Sequence, residues 1–306
     1  MKWFGLTGGA LLNIMFAACA STGGGTVSKH ELVVCGWDEV FILDFDRRND
    51  KGQPEKVWSW KAENCKDMPE EFRKMFGTTD DCKPFEGGKK ILITSSGGAV
   101  AYVERESGRV LFYGKAVNAH SADILPNNRI AVASSFGQKN AGDRLILYEI
   151  GKPDKELLHE TLPGGHGMVW DEKRQLLWAL SYTDIRVYRL ESWDTSAPKL
   201  ALLETIPLPE GAGHDFYPVP DTSFLSVTTG RHVWLFDRDK KSFSPHPELG
   251  NLADVKCVCQ DPQTKQIVYV QGEGNHWWAE RLRFINPEDS FQVPGEHFYK
   301  ARWISR

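Results

Sequence analysis

The chain has 306 residues, 41% hydrophobic and 25% charged, which is ordinary globular composition and long enough for one large core or two modest ones. With 37 basic and 41 acidic side chains the net charge is -4. That balance excludes a bulk electrostatic attraction to nucleic acid or to an anionic membrane surface.

In chain order, "MKWFGLTGGALLNIMFAAC" opens with a lysine, continues apolar over residues 3–16 and ends in small residues before Cys19. This is the pattern of an export signal, and it is too short to span a bilayer stably. Phe16-Ala17-Ala18-Cys19 resembles a bacterial lipobox, with phenylalanine where leucine is usual, and predicts lipidation of Cys19 after cleavage. A plain secretory signal cut after Ala18 or Ala20 is the competing reading. The expected organisation is a signal over residues 1–19, a flexible tether over 20–30 and one domain over 31–306. The expected location is an exported, membrane-anchored lipoprotein, periplasmic or cell-surface, that touches the membrane only through its anchor.

Export implies an oxidising compartment. Cys65 and Cys82 flank "KDMPEEFRKMFGTTDD", whose Pro-Glu-Glu start and Phe/Met spacing predict a short helix, so the 65–82 segment reads as a helical insertion closed by a disulfide. Such a loop closure stabilises by about 3 kcal/mol. Cys257 and Cys259 lie two apart in a probable strand, share a face and cannot bond each other; with Cys35 they read as buried small hydrophobes. A CxC metal site lacks partners at ligand spacing.

Strand-turn-strand hairpins rich in Val, Ile, Leu, Tyr and Trp recur from "ELVVCGWDEVFILDF" to "QIVYVQG" and "AERLRFI", and make six units. The first apolar residues of five successive second strands, Ile91, Ile130, Leu176, Phe224 and Ile267, are separated by 39, 46, 48 and 43 residues, a period that holds four short strands. With a turn signal in each hairpin, this predicts an all-β, six-bladed β-propeller; seven blades remain the alternative if the insertion hides strands. The first unit lacks an opening strand, and residues 298–304 form an orphan strand at the other end. Laying the second beside the first closes the ring and removes an exposed edge.

Counting back ten residues from each ruler position gives Asp81, His120, His166, His214 and Cys257, with Lys256 beside the last. Rotational equivalence brings these residues, more than forty apart in sequence, to one mouth of the axial channel. Lys83, Lys300 and Arg302 approach the same axis. Small hydroxyls repeat at the neighbouring strand ends (Ser95, Ser96, Ser134, Ser135, Ser181, Thr228), poised for backbone or ligand. The candidate catalytic residues are therefore His120, His166 and His214; the candidate ligand-binding residues are Asp81, Lys83, Ser96, Ser135, Tyr182, Lys256, Lys300 and Arg302. Three chemistries compete: two or three of the histidines, His120, His166 and His214, with a carboxylate holding one divalent metal ion, metal-free acid-base work by histidine and lysine around an acidic ligand, or a structural ring that satisfies backbone and channel water. Geometry decides among them, since Zn–N bonds of about 2.0–2.1 Å need a common point. Near the last hairpin, His276, Trp277 and Trp278 offer aromatic planes of the kind that stack sugar rings, or that pack between blades.

At "DCKPFEGGKKILITSSGGAVAYVERESGRVLFYGKAVNAHSADILPNNRIAVASS" and "GHGMVWDEKRQLLWALS" the chain resembles an uncharacterised family of exported bacterial propeller proteins, common among polysaccharide-degrading bacteria, from about residue 31 to the end. In arrangement alone, several axial histidines are similar to oligogalacturonate lyase, in which histidines hold a divalent metal. The family resemblance carries no activity with it; the expected function is carbohydrate binding or processing at the axial site, with a metal-dependent or histidine-based lyase as the form an enzyme would take, and a glycan or small-molecule ligand for a monomer. The competing class is a non-catalytic interaction scaffold with a structural histidine ring.

Overall fold

The computed structural model describes residues 30–304 except 139, 140, 195 and 294. Its six sheets have four antiparallel strands each. Blade 1 joins Lys300–Trp303 to Glu31–Gly36, Glu39–Arg48 and Pro54–Trp60. From the axis outward, blade 2 runs from Thr79–Phe85 to Val110–Lys115, blade 3 from Ala119–Leu125 to Glu156–Thr161, blade 4 from Gly167–Asp171 to Lys199–Pro207, blade 5 from Asp215–Pro218 to Ser242–Pro245, and blade 6 from Val255–Gln260 to Asp289–Gln292. Innermost strands of successive blades touch in ring order, and blade 6 touches Lys300–Trp303.

The middle strands are apolar without alternation because each blade is covered on both faces by its neighbours. Leu176–Leu180 reads LLWAL and Arg129–Ser134 reads RIAVAS, buried almost throughout. Each interface has its own apolar layer: Leu92, Val100 and Tyr102 of blade 2 pack on Ile130, Val132 and Tyr148 of blade 3. Cores of this kind are local in sequence, so each blade can be stabilised as it is added to the last.

Closure follows the expected pairing, with Leu32 opposite Trp303 and Cys35 opposite Lys300. The free edge of the closing strand is satisfied by thiols: Ala301 N donates to Cys257 Sγ at 3.3 Å and Trp303 N to Cys259 Sγ at 3.3 Å. These two cysteines therefore cap the ring closure. Gly36 ends the strand that receives this closing segment, and a Cβ there would stand 1.7 Å from His297 O. Gly36→Ala is expected to cost about 1–3 kcal/mol in thermal or urea unfolding, through overpacking at the seam.

The insertion holds the expected short helix, Glu70–Arg73, preceded by a 3-10 turn over Ala62–Asn64, and its end enters the inner strand of blade 2 at Thr79 without hiding a seventh blade; Met68, Phe72 and Phe76 plug the gap between blades 1 and 2. One expectation for it is corrected. The Cys65–Cys82 disulfide is absent, and both thiols are free. Cys65 follows the outermost strand of blade 1 and donates to Lys61 O at 3.7 Å, whereas Cys82 lies on the innermost strand of blade 2 with its thiol toward Lys300 O at 3.8 Å. Strand spacing of about 4.8 Å separates rim from axis by far more than a disulfide spans.

Candidate functional site

Each blade places one side chain at the same end of the channel: Tyr299, Asp80, His120, His166, His214 and Lys256, in ring order from blade 1 to blade 6. With Ser96, Asn118 and Trp277 they line a cavity of about 360 Å³. Three are delivered by bulges. The pairing of the innermost strand skips from Thr79 to Asp81, from Ala119 to Ser121 and from Val255 to Cys257, which leaves Asp80, His120 and Lys256 as the extra residues. A bulge re-aims its side chain and kinks the strand end, which here turns a side chain into the channel. His166 and His214 enter just ahead of their strands, held by backbone N–H donation to Leu180 O and Thr228 O, both at 2.9 Å.

The histidines do converge, but as stacked rings. His120 and His166 lie parallel, with centroids 4.2 Å apart and planes 17° apart, and His214 stands edge-on to His166 at 5.3 Å. Imidazole lone pairs lie in the ring plane, so face-to-face rings cannot both aim at one ion. Among the described residues no three His, Cys, Asp or Glu side chains are placed to hold a metal, so the three-histidine metal site is corrected to a ring of stacked imidazoles.

The rings sit in fixed roles. His166 Nδ1 donates to Gly164 O at 2.8 Å, with Ser135 Oγ 3.4 Å from the same nitrogen. His120 Nδ1 lies 3.1 Å from Asp80 Oδ1, and His214 Nδ1 is buried with no hydrogen-bond partner among the described residues. Burial, then the neighbouring His120 and His214, push His166 well below the usual imidazole range. Burial followed by Lys256, His120 and Lys300 lowers His214 to about 3. Both rings are therefore neutral at pH 7. Burial also lowers the Lys256 ammonium, against the weaker opposing pull of Asp254.

Below the mouth the next residue of each inner strand forms a second layer, and Lys300 and Arg302 belong here, deeper than expected. Asp81, the register residue of the sequence reading, is also in this layer; Asp80 takes the mouth position because the turn that follows its strand, residues 86–89, is one residue longer than the corresponding turn of blade 3, residues 126–128. Arg302 donates Nε to Asp81 Oδ1 at 3.0 Å, Nη1 to Asp215 Oδ2 at 2.9 Å and Nη2 to Asp215 Oδ1 at 2.5 Å. Lys300 Nζ lies 3.2 Å from Asp215 Oδ1 and donates to His120 O at 3.2 Å, the latter joining this layer to the histidines above. All four charged groups are fully buried. Burial opposes the charge of Lys300 and Arg302, yet Asp81 and Asp215 outweigh it and hold both pKa values above the ordinary range.

Lys83 is corrected to the opposite end of the channel, where with Asp123 and Tyr217 it lines a separate cavity and donates to Met168 O. Most of the repeated hydroxyls serve backbone: Ser95 donates to Met75 O and Thr78 O, Ser134 to Val117 O, and Ser181 accepts from Thr183 and Asp184 N–H groups. Ser96 alone of them lines the mouth cavity, and its N–H donates to Asp80. Tyr182 stands on the mouth face, in a hairpin of blade 4, 39% exposed. The sequence reading missed Asp80, Asn118, Tyr299, Phe136 and Asp215. Adjacent pairs carried the signal: Asp80-Asp81, His214-Asp215 and Tyr299-Lys300 each set a mouth residue beside a second-layer charge.

The remaining exposed aromatics gather on the same face. Trp37 and Trp277 stack at 5.4 Å on blades 1 and 6, with Trp277 also 5.3 Å from Tyr299. Phe136 and Tyr182 meet at 5.4 Å on blades 3 and 4, and Phe136 lies 6.4 Å from His166. In a ring of six these two pairs face each other across the mouth.

Among solved structures, a chain from "Crystal structure of Nidogen/Laminin Complex", itself a propeller, superposes with a TM-score of 0.59 at 12% identity, covering 90% of this chain and 98% of that chain. At that identity the likeness is one of fold alone. No curated protein matches the chain. A family model matches residues 11–306, nearly the whole length and all six blades, so the chain belongs to the family described as "Family of unknown function (DUF6528)".

Proposed function

We propose that this protein binds an oligosaccharide across the histidine-lined mouth of its propeller. The single observation that carries the reading is the pair of exposed aromatic clusters, Trp37 with Trp277 and Phe136 with Tyr182, on opposite sides of the histidine-lined cavity of about 360 Å³. Aromatic faces stack on the apolar faces of sugar rings, while the neutral imidazoles, Asn118, Ser96 and Asp80 supply donors and acceptors for hydroxyls. His166 and His214 suit this work: with His166 Nδ1 bound to Gly164 O its Nε2 is left as an acceptor, and His214 can accept at one nitrogen and donate at the other. Bound at a surface mouth by groups of this kind, a sugar needs no metal.

The proposed setting is the outside of the cytoplasmic membrane, with a lipid on Cys19 and a tether before the first blade; residues 1–29 lie outside the described residues. No described helix is long and apolar enough to cross a membrane. A second reading, an interaction scaffold, rests on Leu202 and Leu203, 51% and 44% exposed on the outermost strand of blade 4.

Calorimetric titration of the purified protein with a panel of trisaccharides tests the main reading. At least one is expected to bind, and Trp277→Ala and Phe136→Ala are each expected to weaken it about three- to tenfold, the worth of an aromatic contact. Binding that survives both substitutions unchanged would remove the mouth as its location.

A further inference from the structure

The mouth holds one cation that the protein itself leaves nearly unanswered. Lys256 is 5% exposed, and among the described residues its Nζ makes no hydrogen bond. Its ion-pair contact is Asp254 Oδ1 at 3.8 Å, on a side chain that is 66% exposed. The neighbouring charges are accounted for differently. Asp80 accepts from Ser96 N and sits 3.1 Å from His120 Nδ1. Lys300 and Arg302 are bound to Asp81 and Asp215 in the layer beneath. The balance of the second layer is two cations against two carboxylates, which leaves Lys256 as the cation, and Asp80 as the carboxylate, that face the cavity from different blades.

A buried ammonium with three unused donors is costly unless something accepts from it. Water can enter this open mouth, yet a fixed anion on a ligand would satisfy the ammonium better, because a charge-assisted hydrogen bond is about twice as strong as a neutral one. The bulge at Lys256 aims the side chain into the cavity in place of leaving it in the ladder. The flanking groups do not oppose an anion: His214 next to it and His166 beyond are uncharged, and Asp80 lies two blades away across the ring.

We infer that the saccharide bound at the mouth carries a carboxylate, as a uronic acid does, and that Lys256 receives it. This rests on the saccharide reading and narrows its ligand class. The aromatic pairs hold the ring faces, Lys256 selects the acid group, and the neutral histidines take hydroxyls between them. Phosphate or sulfate esters would meet the same ammonium, but the aromatic walls favour an anion attached directly to a sugar ring.

The probes are uronic-acid trisaccharides, each paired with its carboxyl-reduced counterpart, titrated into the purified protein by calorimetry at fixed salt. The acidic member of at least one pair is expected to bind about ten- to a hundredfold more tightly, the worth of one hydrogen bond to a charged group. Lys256→Gln is expected to abolish that preference, bringing the acidic and reduced sugars to equal affinity, and Lys256→Arg to keep most of it. Equal binding of acidic and reduced sugars by the native protein overturns the inference and leaves the saccharide reading standing. So does a preference that persists in a folded Lys256→Gln variant. Failure of every sugar to bind overturns both.

Discussion

Leucine in place of Arg302 is expected to lower the unfolding free energy by about 3–5 kcal/mol in urea titrations at pH 7, the cost of removing one partner from a buried ion network. The side chain is fully buried and joins Asp81 to Asp215, while its guanidinium lies 4.1 Å from the centre of the Tyr217 ring. Without it two buried carboxylates share Lys300 alone, at 3.2 Å and 3.9 Å. Arginine is needed for its shape: one planar fork reaches blades 2 and 5 from blade 1, and lysine cannot bond both aspartates in that geometry, so Arg302→Lys should recover only part of the loss. A deficit below about 1 kcal/mol for Arg302→Leu would show that channel water replaces the guanidinium at little cost. The pH dependence of the network has a definite sign. Burial alone would raise Asp81 and Asp215, but Arg302 and Lys300 hold both below the usual carboxylate range. Their contribution to stability is complete above the unfolded value of about 4 and is lost as pH falls below it.

The second large effect belongs to a higher pH window. Between about pH 6.5 and 4, stability is expected to fall by up to about 1.4 kcal/mol per pH unit for His214, and His166 adds to the fall in the same direction below about pH 6.5. The folded state holds His214 at about 3 and His166 well below the imidazole range, chiefly by burial. An unfolded histidine takes its proton near pH 6.5, so the unfolded state binds more protons throughout this window and acid favours it. Above about pH 6.5 neither state is charged and no penalty exists. The slope is read from urea midpoints at successive pH values, and His214→Gln should reduce it by one histidine's share. The groups that face His214 and set its charge cost are Lys256, His120, Lys300 and Asp215. Stability that is flat from pH 7 to 4 would show that both rings protonate within the folded protein.

How much of this was legible in the sequence varied with the physics behind each feature. Blade number and closure were legible, because a propeller repeats its hydrophobic pattern at a fixed period and an unpaired first unit demands a last strand. The convergence of His120, His166 and His214 followed from the same symmetry. The register of Asp80 against Asp81 was not, because a fixed count along the chain assumes equal hairpin turns, and the turn of blade 2 over residues 86–89 is one residue longer than that of blade 3 over residues 126–128. The disulfide was misread for a related reason: spacing of seventeen residues describes a loop length, whereas bonding depends on which layer of the sheet each cysteine occupies. Cys82 went to the axis and Cys65 to the rim. The CxC pair was legible as two buried thiols, but its role as acceptor for Ala301 and Trp303 N–H groups required knowing that the closing strand lies beside blade 6.

Sequence by itself determined the architecture and the end of the channel where the histidines meet, since both depend only on periodic burial and on rotational equivalence between units. The tertiary structure alone decided what those histidines can do. Whether imidazoles share an ion or stack as neutral rings depends on ring orientation and on which neighbouring charges are already paired. Those are distances across a channel some forty residues per blade apart in sequence, and no pattern along the chain encodes them.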